Sequence, residues 1–596
     1  MDIDVEKRVN EAISQLRTLS IQDIDFNQMD PVAKMMLIAL VNECQKIQDY
    51  IDGTTQRIID RFCTDFIPFE KIEAIPAIAL VNPTFKPKKD TGIVSVGTGA
   101  SFAYKTGNSK QPLNYIPLFN TSLIPHTDLY VLTPNRMTYS QGERPISMER
   151  NNCVWVGITT KAEIECIKGL SFLVTGTNGM LPEHIYAGID NQEIDFSTMC
   201  EMENIEMAEP FDAQQSSSQF FSFLNVWKEH LLNMEDAALF YLTDETHDRD
   251  LFKQRAYPRV FQQWLEVEAL DRFQANTLWL QLVFPEGYEV PNSCGITVNV
   301  LPVVNVDVNC LTLTQASPIA KLQKQEDSYF LKIIETSSSS HKQGFNMSSE
   351  DIIIRDFDAS CYHNGDLYRD VRNLYNKFID DYYAFIDYNG IKDGEVLKQL
   401  RETINRLGKS VGDKNSKFRF DSGTYVMKNM NQYPPTTSTK VSYMTTQGKV
   451  GNSPQIGETM ENKKLPAIEQ KTAVVVSAIG GADKASADER YEQLRYYSLT
   501  RDRLYTKMDI EAFLRKEIMA EFGKEEFKRI FIKINIEGTS GASSLRRGLY
   551  IDIEFKDKKN YEKAVTGCFD KLMKQKIDGK ACISMPINVG LKSMEI

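Results

Sequence analysis

Short β-rich runs fill the chain between about residue 75 and residue 330, and they limit its possible folds more than any other feature. The runs are "PAIALV", "TDLYVLT", "VWVGI", "LSFLVTG", "TLWLQLVF" and "GITVNVLPVV", and they are divided by Gly, Pro, Asn and Ser. Apolar or alternating runs bounded by such turn residues are typical of strands. The sequence therefore predicts a β-rich middle region of one or two domains, which we place at residues 73–325.

The run "VNVLPVVNVDVN" (298–309) alternates like a strand but contains a proline. One parity holds Val298, Val300, Pro302, Val304, Val306 and Val308. Because proline has no backbone N–H, it is confined to edge strands, strand starts and bulges. We predict that Pro302 stops sheet pairing where the chain leaves one domain for the next, and that Asn299 and Asn305 satisfy the backbone groups left free there. The alternative is an edge strand without a special role.

The first segment, residues 1–72, is predicted to be helical. In "DPVAKMMLIALVNEC", Asp30 is a suitable N-cap and Pro31 sits at the first helical position. The early part of this helix is apolar on nearly every side, so every side must be covered. Two interpretations remain open, burial inside its own domain and packing against helices of partner subunits. The candidate contact residues are Leu37, Ile38 and Val41.

The rest of the chain is predicted to hold two further parts. Residues 326–475 contain an αα-hairpin at about 365–409 and a loop-rich β region. Residues 476–596 read as helix, "RIFIKINIE", "LYIDIEF", helix and "ACISMPINV", with a capping box of Thr506 and Asp509 at the first helix. The order α-β-β-α-β predicts a two-layer α+β domain. The fold class is thus multidomain α+β, with N-terminal helices, β-rich middle domains, a helical-hairpin insertion and this C-terminal domain.

Composition and motifs speak against an enzyme. The 596 residues suggest three or four domains, and a net charge of −12 argues against a primary role on nucleic acid or an anionic membrane. No targeting segment or C-x-x-C pair is visible, which favours a cytoplasmic protein with reduced thiols. "CYH" (361–363) lacks further ligands for zinc. No nucleophile, base and orienting group stand out together, so we predict no catalytic residue, no cofactor and no metal.

Three segments, in order, resemble the TssF family, the baseplate wedge subunits of type VI secretion systems. The first runs from "DPVAKMMLIALV" to "FIPFEKIEAIPAIALV". The second is "LWLQLVFPEGYEVPNSCGITVNVLPVVNVDVNCLTLTQASPI", which carries Asn299, Pro302 and Asn305. The third, "IGGADKASADERYEQLRYYSLTRDRLYTKMDIEAFLR", resembles a signature shared with phage baseplate J-like wedge proteins. Its matching residues are Gly480, Gly481, Asp483, Arg501, Arg503, Thr506 and Asp509. Together they cover about a quarter of the chain, which resembles a divergent branch of the family.

The resemblance implies a non-enzymatic subunit that assembles with TssG and a second TssF copy around the VgrG hub. TssK on the membrane side and TssE toward the sheath would be further partners. The protein would be cytoplasmic, lie at the inner face of the cytoplasmic membrane when assembled, and touch the membrane only through the baseplate. Alternatives are a J-type wedge protein of a phage tail or phage-like contractile particle and an enzyme acting on carbohydrate or peptidoglycan.

Two arginines precede the capped C-terminal helix. Cations ahead of a helix N-terminus are unfavourable unless acids match them. We therefore expect carboxylates near Arg501 and Arg503, either from Asp509 of the same chain or from a neighbouring copy.

Overall fold

The computed structural model describes ten stretches of the chain, with short gaps inside some of them and isolated positions elsewhere: residues 73–86, 92–105, 112–198, 205–208, 236–243, 257–322, 328–339, 352–357, 423–428 and 437–594. The chain divides into a first unit, Ile72–Ile352 with Lys428–Lys484, and a second unit, Met1–Lys71 with Ile353–Met427 and Ala485–Ile596. Strands in several sheets dominate the described part and a few helices accompany them, so the fold is mixed and mostly β.

The described strands have the following bounds: β1 (Ile78–Asn82), β2 (Val94–Val96), β3 (Phe102–Tyr104), β4 (Leu113–Pro117), β5 (Thr121–Leu123), β6 (Asp128–Thr133), β7 (Arg136–Tyr139), β8 (Gly142–Pro145), β9 (Cys153–Thr159), β10 (Ser171–Thr175), β11 (His184–Ala187), β12 (Gln192–Glu193), β13 (Phe196–Thr198), β14 (Ala237–Leu242), β15 (Thr277–Val283), β16 (Gly295–Val298), β17 (Leu301–Asn305), β18 (Asp307–Thr314), β19 (Ile319–Lys321), β20 (Tyr329–Ser339), β21 (Ile352–Phe357), β22 (Gly423–Lys428), β23 (Ser438–Thr446), β24 (Thr459–Asn462), β25 (Lys471–Ile479), β26 (Ile530–Gly541), β27 (Ser544–Phe555) and β28 (Ile587–Ser593). The described helices are α1 (Phe261–Trp264), α2 (Val267–Leu270), α3 (Ala487–Thr500), α4 (Lys507–Phe527), α5 (Lys558–Thr566) and α6 (Phe569–Lys580).

Six strands of the first unit close into a barrel in the order β1-β17-β4-β3-β24-β25. Closure joins β1 to β25, although most of the unit separates them in sequence. Alternate residues of β1 and β17 enter one buried cluster, which includes Ala77, Ala79, Val81, Leu301 and Val303. The opposite parity enters the larger cluster of the unit. The barrel strands are therefore buried on both faces, as near-continuous apolar runs such as "AIALV" require.

A seven-stranded sheet, β12-β11-β15-β9-β6-β7-β8, and a four-stranded sheet, β13-β14-β10-β16, contribute to the larger cluster. A second face of the seven-stranded sheet is aromatic, and residues of α1 and α2 pack on it. Gly157 of β9 lies opposite Trp279, and a Cβ at Gly157 would come within 2.6 Å of the indole ring. Glycine at this position is what lets the ring lie flat on the neighbouring strand.

The run at 298–309 alternates like one strand, but it contributes to three sheets in succession. It ends β16, which pairs with β10, then forms β17 in the barrel, and then enters β18, which pairs with β23. The break between β16 and β17 lies at Asn299, whose φ of 61° is a left-handed conformation that ends a strand. We also expect at least one strand pair around "STKVSYMTTQGKVGN" in the loop-rich region; this segment forms β23, whose partners are the distant β18 and β20.

The C-terminal part of the second unit contains every element of the expected order α-β-β-α-β. Strands β26 and β27 pair antiparallel, and β27 and β28 pair parallel. Alternate residues of β27 are buried, namely Leu549, Ile551, Ile553 and Phe555. Two details differ from the expectation: α3 precedes the capped helix α4, and the later helix is divided into α5 and α6 at Cys568, which has φ 48°.

Few positions of the N-terminal segment and the helical hairpin are described. Asp30 caps a helix as expected, since its Oδ1 accepts from the backbone N–H of Val32 at 2.7 Å. Leu37, Ile38 and Val41 lie outside the described residues, as does nearly all of the hairpin at 365–409.

Candidate functional site

Asn299 fastens the loop after β5 to the start of β17. Its Oδ1 accepts from the backbone N–H of Ile124 at 2.9 Å, and its Nδ2 donates to the carbonyl of the same residue at 2.8 Å. Both residues are fully buried. Asparagine suits the position twice, because it tolerates a left-handed backbone and carries both a donor and an acceptor.

Pro302 lies inside the barrel, between β1 and β4, and not at an edge. Leu118 donates its N–H to the carbonyl of Pro302 at 3.0 Å, but the return bond of this antiparallel pair needs the N–H that proline lacks. Ala208 replaces it by donating to the carbonyl of Leu118 at 2.9 Å. Pro302 thus ends pairing on one side of β17, and a separate segment satisfies the freed acceptor.

Asn305 connects three segments that are distant in sequence. Its Nδ2 donates to the carbonyl of Asn114 at 3.1 Å. Its Oδ1 accepts from the hydroxyl of Thr446 at 3.2 Å and from the backbone N–H of Gln447 at 3.1 Å. Asn299 and Asn305 thus bond to backbone groups as expected, but the group that Pro302 leaves free, the carbonyl of Leu118, is satisfied by Ala208 instead.

The 3-10 turn Gly448–Asn452 follows directly and is pinned by the Gly-Gly-x-Asp segment. Asn452 exchanges two 2.8 Å hydrogen bonds with the backbone of Gly481. Asp483 accepts from the backbone N–H of Lys449 at 2.8 Å. Gly448 has φ 52°, and a Cβ there would collide with the Asp483 carboxylate. Position 448 therefore requires glycine for two reasons, its left-handed backbone and the close approach of the Asp483 carboxylate.

The N-terminal end of the barrel completes this arrangement. Ile75 and Ala482 exchange backbone hydrogen bonds of 2.8 and 2.9 Å. Ala77 lies so close that a Cβ at Gly451 would come within 3.1 Å of its methyl group. We call the assembly of Ile75–Ala77, Asn305, Gly448–Asn452 and Gly480–Asp483 the junction. The three segments that carry the sequence resemblance all contribute to it.

The junction holds strands together, and its one carboxylate, Asp483, accepts a hydrogen bond from the backbone. Asn299, Pro302 and Asn305 are also candidate contact residues, and all three are buried within the first unit. The side-chain amides of both asparagines bond to backbone groups of the same unit. Among the described residues, no group of three or more His, Cys, Asp or Glu is placed to bind a metal ion.

The turn between α3 and α4 presents the two arginines. Asp509 caps α4 reciprocally with Thr506, and its Oδ2 also accepts from the N–H of Tyr505. The expected pair of Arg503 with Asp509 is not formed. Within the described part of the chain, neither arginine has a carboxylate at ion-pair distance, and both side chains are exposed.

Two consecutive residues of this turn, Arg501 and Asp502, have φ of 49° and 63°. Asp502 is fixed from two sides: Lys580 at the end of α6 lies 2.6 Å away, and the hydroxyl of Tyr496 donates at 2.9 Å. Burial would raise the pKa of the Asp502 carboxyl, but these two hydrogen bonds and the Lys580 charge lower it overall. The carboxylate therefore stays ionised and holds the turn in place.

Sequence reasoning missed several residues of both sites. Asn114, Ala208 and Lys580 act through hydrogen bonds with partners far along the chain, and nothing in their local sequence indicates these partners. The Gly-rich "QGKVGN" (447–452) does carry a signal, because two glycines around an apolar residue indicate a tight turn.

No protein-family profile matches the sequence, and no curated protein matches it. Among solved structures, the chain is similar to a chain of the TssK-TssF-TssG baseplate subcomplex of a type VI secretion system. That similarity covers 94% of this chain and 96% of that chain, at 10% identity and a TM-score of 0.40. A chain of the anti-feeding prophage baseplate matches over 98% of this chain and 70% of its own length, at 9% identity and a TM-score of 0.29. Both neighbours belong to baseplates.

None of the helices in the described stretches is long and apolar enough to cross a membrane.

Proposed function

We propose that this chain is a structural, non-enzymatic subunit of a baseplate wedge of the type VI secretion class. In this role it would assemble with TssG-like and TssK-like proteins and with a second copy of itself. TssE-like and VgrG-like proteins would be further neighbours. The assembly would lie in the cytoplasm, at the inner face of the cytoplasmic membrane.

The observation that carries the proposal is the junction. Three segments were selected because their residues resemble one family, without regard to where they lie in space. In the structure, backbone of the first, Asn305 of the second and Gly481 with Asp483 of the third bond to one another or to the same short turn. Shared residues that close one barrel are what a common scaffold requires, whereas chance matches would have no reason to meet.

The chemistry of the junction supports a structural role. Its polar side chains bond to backbone groups, and its glycines allow close approach of backbone to backbone or carboxylate. A catalytic site would need a reactive group beside an open cavity. A J-type wedge protein of a phage-like particle remains the second candidate, because the Gly-Gly-x-Asp segment resembles both groups.

The N-terminal helix is the proposed site of contact with a TssG-like partner. Val32 and Met36 are one helical turn apart and are 60% and 69% exposed. Positions i and i+4 lie on one face of a helix, so these side chains form an apolar strip available for packing.

Co-purification tests the proposal. The tagged chain, expressed with the products of its neighbouring genes, should bring down TssG-like and TssK-like proteins in fixed ratios. A chain that purifies alone at all salt concentrations, or that carries hydrolytic turnover, would refute a wedge role.

A further inference from the structure

The turn between α3 and α4 exposes apolar and cationic side chains close together in sequence. Within ten residues it exposes Leu499, Arg501, Arg503, Tyr505 and Met508. The three apolar side chains are between 54% and 68% exposed. Tyrosine, methionine and arginine are enriched at protein–protein interfaces relative to the rest of the surface. We call these five residues the arginine turn.

Two residues within the span of the arginine turn have a strained backbone conformation, and contacts within the second unit hold them in it. Left-handed conformations are uncommon for residues other than glycine, asparagine and aspartate, and here Arg501 and Asp502 adopt them in succession. Such outliers persist only where surrounding contacts over-determine them, and they cluster at functional sites. The maintaining contacts are those of Asp502 with Lys580 and Tyr496, while Leu504 is fully buried beneath the turn.

Charge determines the kind of partner. The whole chain carries −12, but residues 485–596 contain 22 Lys and Arg against 18 Asp and Glu. At the turn itself, Asp502 is committed to Lys580 and Asp509 to the helix cap. Arg503 forms a hydrogen bond with Tyr505. Neither guanidinium group has a carboxylate partner among the described residues. Arginine favours bidentate binding of carboxylates at interfaces.

We propose that the arginine turn is a docking surface for an acidic segment of another protein, with an apolar side chain seated against Tyr505 and Met508. Asp502 and Lys580 act as positioning residues, which hold the backbone so that both arginines point outward. The proposal does not depend on the baseplate assignment, because it concerns the chemistry of the partner segment alone.

The test is site-specific photocrosslinking of the full chain in the cells that encode it. p-Benzoylphenylalanine replaces Met508, and in a control it replaces Val565, which is 48% exposed on α5 of the same unit. We expect the first position to capture a segment rich in Asp and Glu, identified by mass spectrometry. R501E/R503E should lower this capture at least tenfold. The matched control K571E/K574E makes the same charge change at two exposed lysines of α6 and should not lower it.

Four outcomes would overturn the proposal: no capture at position 508, capture of a neutral or basic segment, capture of a second copy of this chain, or equal capture by R501E/R503E. The positioning role is tested by D502N and K580M, which keep both arginines. We expect each to lower capture several-fold while the circular dichroism spectrum stays that of the wild type. Unchanged capture would refute that role. Failure of any of these leaves co-purification of the wild-type chain with baseplate proteins unaffected, so the two proposals fail separately.

Discussion

Two substitutions of Asn299 separate the free energy of its side-chain hydrogen bonds from the cost of its left-handed backbone. In N299A, the buried N–H of Ile124 loses its partner, and the carbonyl of Ile124 loses its 2.8 Å donor and keeps a 3.4 Å contact with Nδ1 of His126. Each unsatisfied buried group costs about 1–3 kcal/mol, so the variant should lose about 2–5 kcal/mol. Alanine also disfavours φ 61° by about 1 kcal/mol or more. N299G removes the same bonds without this steric term, although glycine costs about 0.5–1 kcal/mol in chain entropy. N299G should therefore be slightly less destabilised than N299A.

Hydrogen exchange measured by mass spectrometry is the suitable assay, because a chain of several units need not unfold in one step. A loss of about 2–5 kcal/mol corresponds to exchange of the Ile124 amide that is about thirtyfold to a few thousandfold faster, at 1.4 kcal/mol per factor of ten. N178A is the control, since Asn178 is also left-handed, with φ 52°, but is exposed. If exchange at Ile124 in N299A stays within about threefold of the wild type, the side-chain amide is not what fastens this loop.

Three further predictions concern assembly, metal and pH. L37D/I38D should abolish co-purification with a TssG-like partner while exchange in the C-terminal strands stays unchanged; recovery of the partner at wild-type yield would exclude the N-terminal helix as the contact. Treatment with a chelator should alter neither the melting temperature nor partner binding, and a large loss of either would reveal a required metal. The lowered pKa of Asp502 stabilises the second unit above the ordinary carboxyl pKa, and this contribution is lost as the pH falls through the folded value. Amide protection of the arginine turn should thus fall in acid more steeply in the wild type than in K580M, which already lacks the pair.

Strands and helices could be predicted from the sequence where only one face of the element is buried. "RIFIKINIE" and "LYIDIEF" pair along their whole length, because their alternation matches the one face that meets the helices. The capping box at Thr506 also follows from local residues alone. The run at 298–309 shows the opposite case. Its central strand β17 is buried on both faces, so periodicity could not show that the chain changes sheet before and after it.

The role of Pro302 shows most directly where local reasoning stops. The missing N–H and its consequence, an acceptor without a donor, follow from the residue type. The donor that replaces it is the backbone N–H of Ala208, and a backbone group leaves no trace in a sequence. The same holds for the carbonyl of Asn114 and the N–H of Gln447, which Asn305 binds. A sequence can therefore reveal that an asparagine or proline has a special task without revealing which strands it connects. At the junction, segments far apart in sequence meet in one closed barrel through such backbone bonds, as Ile75 and Ala482 do, which is why no single segment shows them.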